Sequence, residues 1–426
     1  MTLAAEPTTR MQLSWSTLRV VLGVLLVLTG LVLVGLAAFR DLGALAGLGV
    51  IALGLGVSQF FKQTAEAVMM PALAVLVALV PFGGFLAFAG VNPFRAFWLM
   101  YEGAFGSWFS FQNTLSRAAP LMLTGLCTAL PMRLGMVHIG GEGALVVGAL
   151  FAAGGAHLVA GAPPWVGIST MLLTGFVTGG LWVMLAGALK HYRGVNETIS
   201  SLLLTYIAIA MLNHLVEGPW RDPESLNKPS SWPVGEENML GVLDFSGYAE
   251  SGGPLKALSF IHMDGVHWGL VIGVVACVFC WLLMNQTVFG FKAQVVGGNI
   301  RAAKVAGLSI GRIVLIVCML GGGAAGLAGA VEVCAVQGAA NASVVAGYGY
   351  AGILVAFLAR HNPLAIIPVA ILIGGIGASG GLIQRRLGLP DATVNVLQGF
   401  IFLAILASET YYGRLKFFQK KESGVV

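Results

Sequence analysis

Long apolar runs broken by short polar connections dominate this chain. A helix that crosses a bilayer needs about 20 apolar residues. Twelve stretches approach that rule, near 17–38, 43–61, 68–90, 118–136, 139–160, 165–189, 197–215, 266–286, 311–333, 349–359, 363–381 and 394–410. The tenth is short and flanked by glycine, which predicts a half-helix or re-entrant piece. Such backbone is tolerated at membrane depth only where protein or a cavity covers it. The pattern therefore predicts an all-α fold, a polytopic transmembrane bundle of about twelve helices. Ten of them form a core at 65–412, after an additional N-terminal hairpin at 1–64 and before a basic tail at 413–426. The hairpin is rich in Leu, Val and Gly, and reads as a lipid-facing or partner-facing pair. Its first run, from Leu18 to Ala38, is too long for a cleaved leader and reads as a retained helix.

Composition supports the same solvent. The 426 residues are 57% hydrophobic and only 10% charged, where a soluble domain carries about 25% charge. The 60 glycines suit helices that approach closely within a membrane. The net charge of +5 does not point to nucleic acid, because the basic residues cluster between apolar runs, as membrane orientation requires. Arg10, Lys62, Lys190, Arg193, Lys292, Arg301, Lys304, Arg312, Arg360, Arg414, Lys416, Lys420 and Lys421 fall on alternate connections. Placing these in the cytoplasm puts both termini there. The opposite side holds Arg40, Arg95, Arg117, Arg221, Lys228, Lys256, Arg385 and Arg386. It also takes the longest loop, 216–265, which is acidic overall. The stretches GGEGALVVGALFAAG (140–154) and GYGYAGILVAFLARH (347–361) run in opposite directions in this topology and are faintly alike, which would suit an inverted repeat.

Candidate chemistry is sparse. Cys127, Cys277, Cys280, Cys318 and Cys334 lie in apolar runs without further ligands nearby and read as small apolar side chains. His138 and His361 are each alone, and neither a nucleophile–base pair nor a metal-ligand cluster emerges, so no catalytic residue, metal or cofactor is expected in this chain. Three acids sit within or at the ends of apolar runs: Glu142, Glu197 and Glu332. An ionised residue there costs a few kcal/mol and normally faces a cavity or a partner. Asn196 and Glu197, after Gly194 at a helix start, suit a cap. Glu142, between two glycines at a broken helix, suits a solute path better, and for Glu332 both readings stand. The polar, Gly-rich stretch QGAANASVVAGYGY offers Gln337, Asn341, Tyr348 and Tyr350 as solute contacts or as a helix–helix turn with interfacial tyrosines. Asn395 and Gln398 are weaker candidates.

The segment 287–312 is neither a simple loop nor a span. Asn299 is placed to cap a helix of about two turns, and Gly307 to end it. A short helix on the cytoplasmic face would pass motion from a soluble motor to the membrane helices; an ordinary basic loop is the other reading. This segment resembles the coupling helix of permeases in the branched-chain amino acid, simple sugar and nucleoside group of ATP-binding-cassette importers. It carries Gly290-Phe291, Val296-Gly297-Gly298-Asn299, Ala302-Ala303 and Ala306-Gly307-Leu308 where that group has G-F…-A-V-G-x-N-x-x-A-A-x-x-A-G-I. YRGVNETISSLLLTYIA (192–208), GMVHIGGEGALVVGA (135–149), AGLAGAVEVCAVQG (325–338) and AGYGYAGILVAFLARHNPL (346–364) are similar to the group's other motifs, in order. The resemblance is greatest to the nucleoside and simple-sugar branch.

The resemblance implies an importer permease in a bacterial inner membrane, with Gly297, Gly298, Asn299, Arg301, Ala302, Ala303 and Gly307 in the coupling contact. Its implied partners are a cytoplasmic ATPase, a second permease chain and a periplasmic or lipoprotein receptor. No G-x-x-x-x-G-K-[ST] occurs and no lysine follows a glycine, so ATP and magnesium belong to that ATPase. Where the group has Phe-Asn, Gln and Asn, this chain has Val137-His138, Ala144 and Thr205. The solute differs if those side chains touch it. Two alternatives stand beside this reading. One is a secondary transporter with the three acids as proton carriers. The other is a permease for another small polar solute, such as a branched-chain amino acid.

Overall fold

The computed structural model describes residues 65–225, 228–244 and 262–411. The N-terminal hairpin, the basic tail and parts of the long loop lie outside the described residues. The chain divides into one compact unit, 74–407, and a second comprising 1–73 and 408–426.

Thirteen helices are described, numbered here in chain order: α1 (Ala65–Phe88), α2 (Pro93–Phe105), α3 (Trp108–Met132), α4 (Gly141–Leu158), α5 (Pro164–Arg193), α6 (Glu197–Glu217), α7 (Gly269–Gln286), α8 (Val288–Gly298), α9 (Ile300–Val305), α10 (Ile310–Glu332), α11 (Tyr348–Leu358), α12 (Pro363–Leu387) and α13 (Thr393–Tyr411). Seven helical stretches among the described residues are long and apolar enough to cross a membrane. Each of the ten expected core spans is met by a helix, so the molecule is an all-α polytopic bundle. Strand is confined to a short antiparallel pair, β1 (Val242–Asp244) and β2 (His262–His267), in the long loop.

Three elements differ from the expectation. α2 was not foreseen: Asn92 caps it through Oδ1, Pro93 opens it, and its aromatic face leaves Trp98 and Tyr101 exposed. α3 begins ten residues before the expected span at 118, because Ser107 caps its start. Hydropathy alone does not see that start, since the first turns carry Ser110, Gln112 and Asn113. Segment 287–312 contains two helices rather than one, with Thr287 capping α8 and Asn299 capping α9.

Glycine sets the packing at the centre. A Cβ on Gly326 would run into the backbone of Gly175 and Gly179, and one on Gly148 would run into Gly326. α4, α5 and α10 therefore touch backbone to backbone, which only residues without side chains permit.

The connections sort onto two ends of the bundle. The Lys190 end holds the α5–α6 turn, the C-terminus of α3 and the α8–α9 pair, where Gly297 packs directly on the Arg133 carbonyl. The α11–α12 turn, with Arg360 and His361, lies close enough to Arg133 to interact electrostatically. The Asp222 end holds the long loop, in which Ser231 donates its N–H to the Ala340 carbonyl at 2.8 Å. α4 runs away from the Lys190 end and α11 runs toward it, as the opposite directions of their two sequence stretches require.

Candidate functional site

The decisive local feature is the start of α11. This helix has only 11 residues, and its first N–H groups lie inside the protein, where an unpaired donor costs free energy. The carboxylate of Glu142 meets them from the first turn of α4. Its Oε1 accepts from the Gly347 N–H at 2.8 Å, and its Oε2 from the Gly349 N–H at 2.6 Å. Glu142 is fully buried. Gly349 lies against the Glu142 backbone so closely that no Cβ fits there. From the other side, the Thr124 hydroxyl of α3 donates to the Tyr348 carbonyl at 3.0 Å.

Beyond this junction lies a cavity of about 600 Å³ between α3, α11, α12 and α13. Its polar lining is Arg117, Tyr348, Tyr350, Asp391, Asn395 and Gln398. A cavity of that size with an apolar wall and a few convergent polar groups suits a small polar solute. Hydroxyl, amide and guanidinium groups offer both donors and acceptors, and the tyrosines offer ring faces.

Four of the expected solute contacts, Tyr348, Tyr350, Asn395 and Gln398, thus come together. The others do not line the cavity. Glu142 stands behind its wall as the partner of the Gly347 and Gly349 N–H groups. Glu332 accepts from the Gln337 amide at 3.4 Å, and both lie at the turn that follows α10. Asn341 caps the short helical turn 342–344 and bridges to Ser230 at the Asp222 end. Asn196 caps α6 through the N–H groups of Thr198 and Ile199, and Glu197 pairs with Lys190 at 2.7 Å, both at the Lys190 end. His138, Ala144 and Thr205 are buried and outside the cavity lining. The departures from the family pattern therefore alter packing around 133–144 rather than the cavity wall.

Arg117, expected on an outer connection, lines the cavity and interacts electrostatically with Glu332 and Tyr348. The signal for it was present: it precedes an unbroken apolar run and follows a capped, polar helix start, which places it along a helix rather than in a loop. Asp391 was not singled out at all.

At the Lys190 end, Asn299 Oδ1 accepts from the Arg301 and Ala302 N–H groups at 2.9 and 3.1 Å. Gly307 has φ +70°, a left-handed conformation that ends the short helix. Gly298, Asn299, Arg301, Ala302 and Gly307 are exposed, whereas Ala303 is fully buried and Gly297 packs on Arg133. The surface of this element is carried by the exposed apolar side chains of Val288, Phe291, Ile300 and Val305.

The family model for the permease component of branched-chain amino acid transport systems matches residues 110–406. The chain belongs to this family. The matched region includes the whole cavity lining, the Glu142 junction and the α8–α9 pair. The glucose ABC transporter permease protein TsgB13 of Haloferax volcanii is 32% identical over 351 residues, covering 80% of this chain and 87% of the relative. The guanosine ABC transporter permease protein NupP of Bacillus subtilis is 26% identical, covering 80% and 93%. The nucleoside ABC transporter permease protein NupB of Lactococcus lactis is 25% identical, covering 79% and 90%. No solved structure matches. The molecule is thus a multi-pass ABC transporter permease of the sugar and nucleoside type, a transport component without an ATPase site of its own.

Proposed function

We propose that this permease imports a nucleoside or a simple sugar across a bacterial inner membrane, powered by a separate ATPase docked on α8–α9. The observation that carries the reading is the cavity lined by Arg117, Tyr348, Tyr350, Asn395 and Gln398 inside the family-matched region. Tyrosine faces stack on a nucleobase or on the C–H face of a sugar, while the amides and the guanidinium pair with ring oxygens, nitrogens or hydroxyls. The guanosine and glucose named for two relatives are of this chemical kind.

The direction of insertion follows from charge. The Lys190 end carries Lys190, Arg193, Lys292, Arg301, Lys304 and Arg312, and an excess of Lys and Arg marks the cytoplasmic side. The Asp222 end then faces outward, toward a solute-delivering receptor, and both termini lie in the cytoplasm. A second permease chain completes the solute path.

The test is uptake into proteoliposomes holding this chain, the ATPase, a second permease and the receptor. Radiolabelled guanosine, glucose and leucine are offered with and without internal ATP. ATP-dependent uptake of guanosine or glucose supports the reading. Uptake of leucine alone, or uptake by this chain alone under a pH gradient, overturns it.

A further inference from the structure

The Glu142 junction joins two parts of the molecule that solute transport has to coordinate. One is the cavity wall: Gly347, Tyr348 and Tyr350 all line the cavity. Gly347 and Gly349, the residues on either side of Tyr348, give their N–H groups to Glu142. The other is the Lys190 end. Glu142 follows directly on the non-helical stretch 133–140, which connects α3 to α4. That stretch is held at both of its ends. Gly297 of α8 presses on the Arg133 carbonyl, so closely that a Cβ there would collide with it. At the far end, the Thr198 hydroxyl donates to the Val137 carbonyl at 2.9 Å, and the Ile139 N–H donates to the Ser201 hydroxyl at 3.2 Å.

We propose that Glu142 is a positioning residue that sets the two cavity tyrosines and links them, through residues 133–140, to the α8–α9 surface. Its carboxylate does not touch solute. It holds the left-handed turn at Gly347, where φ is +80°, and the first turn of α11 in one arrangement, so that Tyr348 and Tyr350 present fixed faces. A displacement of α8 moves Arg133, then the segment, then Glu142, and the tyrosines follow. A cap that served only stability would need none of this connectivity. The exposed caps Asn196 and Asn362 bond to the first turns of their own helices, whereas Glu142 reaches a residue 205 positions away in the chain.

This inference rests on the reading that the cavity receives the solute, and the experiment separates the two. In the assembled, ATP-driven transporter, the KM for guanosine and for glucose is measured for Glu142→Gln, Glu142→Asp, Tyr350→Ala, Gln398→Ala and the Glu142→Gln/Tyr350→Ala pair. Glutamine replaces one acceptor oxygen by a donor facing an N–H, and aspartate retracts the carboxylate by one methylene. Loss of a charge-assisted bond predicts a KM raised about tenfold in Glu142→Gln, with a smaller rise in Glu142→Asp. Maximal rate per assembled complex should fall as well, because the same carboxylate carries the displacement of α8 to the tyrosines and its loss acts on turnover as well as on binding. The pair should raise KM by less than the product of the two single effects, since both changes act on one wall.

A purely stabilising role would reduce the amount of assembled protein and leave KM untouched, which sinks the proposal while Tyr350→Ala and Gln398→Ala still shift KM. If those two also leave KM unchanged, the cavity reading itself has failed. Amide hydrogen exchange on the assembled transporter gives a readout without solute. Glu142→Asp should speed exchange at 347–350 while leaving α5 at its wild-type rate, and unchanged exchange at 347–350 overturns the proposal.

Discussion

Ala303 and Val305, two residues apart on α9, face opposite ways: Ala303 is fully buried against its own chain, while Val305 is 91% exposed. A six-residue helix turns far enough between them to divide its sides cleanly. The small residues of the motif therefore let α9 lie close on the permease, and the larger apolar residues beside them form the outer surface.

Val305→Asp and Ile300→Asp are accordingly expected to weaken ATPase binding by about 1–3 kcal/mol each, as loss of an apolar interface anchor does. The permease itself should stay folded. Ala303→Trp should instead overpack the site and lower the yield of folded permease by about 1–3 kcal/mol of stability. ATPase co-purification together with detergent melting curves of the permease separates the two outcomes. Loss of melting stability in Val305→Asp would contradict this division.

Within the cavity, Asn395→Ala should raise the solute KM by roughly 3–10-fold, the equivalent of one lost neutral hydrogen bond. Arg117→Ala should raise it more, because a charged donor is removed. Arg117→Lys should recover only part, since a point charge does not reproduce the guanidinium fork. Initial-rate uptake with a concentration series checks all three. An Arg117→Ala transporter with wild-type KM would remove Arg117 from the solute contacts.

The glycine seam gives a stability prediction. Gly326→Ala places a methyl where the Gly175 backbone already sits, so α5 and α10 must separate. The cost is expected to exceed about 2 kcal/mol, typical of overpacking with no room to relax. Gly84→Ala, in α1 with open space around the added carbon, is expected to lie within about 0.5 kcal/mol of wild type. Folded yield and melting temperature in detergent compare the two.

At the Asp222 end, burial pushes the His267 imidazole below its ordinary range, and its Nδ1 accepts the Gly269 N–H at 3.2 Å. The folded state therefore prefers the neutral ring, and protonation favours opening. The stability this histidine contributes is present above about pH 6.5 and is lost as pH falls toward its lowered value. Amide exchange in the β1–β2 region, corrected for the intrinsic exchange rate at each pH, should show more frequent opening as pH falls below about 6.5, and His267→Gln should flatten that dependence.

Much of this architecture was legible in the chain. Apolar run length identifies helices because each must span a fixed hydrocarbon thickness with its own backbone bonds satisfied. The caps at Asn299 and Asn196 were legible because a side chain one turn from the backbone it binds is a local matter. α2 was not legible, since 13 residues with a mixed aromatic and polar face resemble a loop by hydropathy. The pairing of Glu142 with Gly347 and Gly349 was not legible either, nor was Arg117 in the cavity wall, because each depends on segments far apart in sequence.

The amino-acid sequence by itself determined the solvent, the placement of ten of the core helices, the short α9 and the family. Those follow from periodicity, composition and local capping, each set within a few neighbouring residues. Only the tertiary structure decided which polar groups meet a cavity and which are consumed by backbone. An unpaired helix end can be satisfied by any acceptor that the packing brings near, and here the missing side chain at Gly349 lets two distant helix starts approach closely enough for one carboxylate to serve the other.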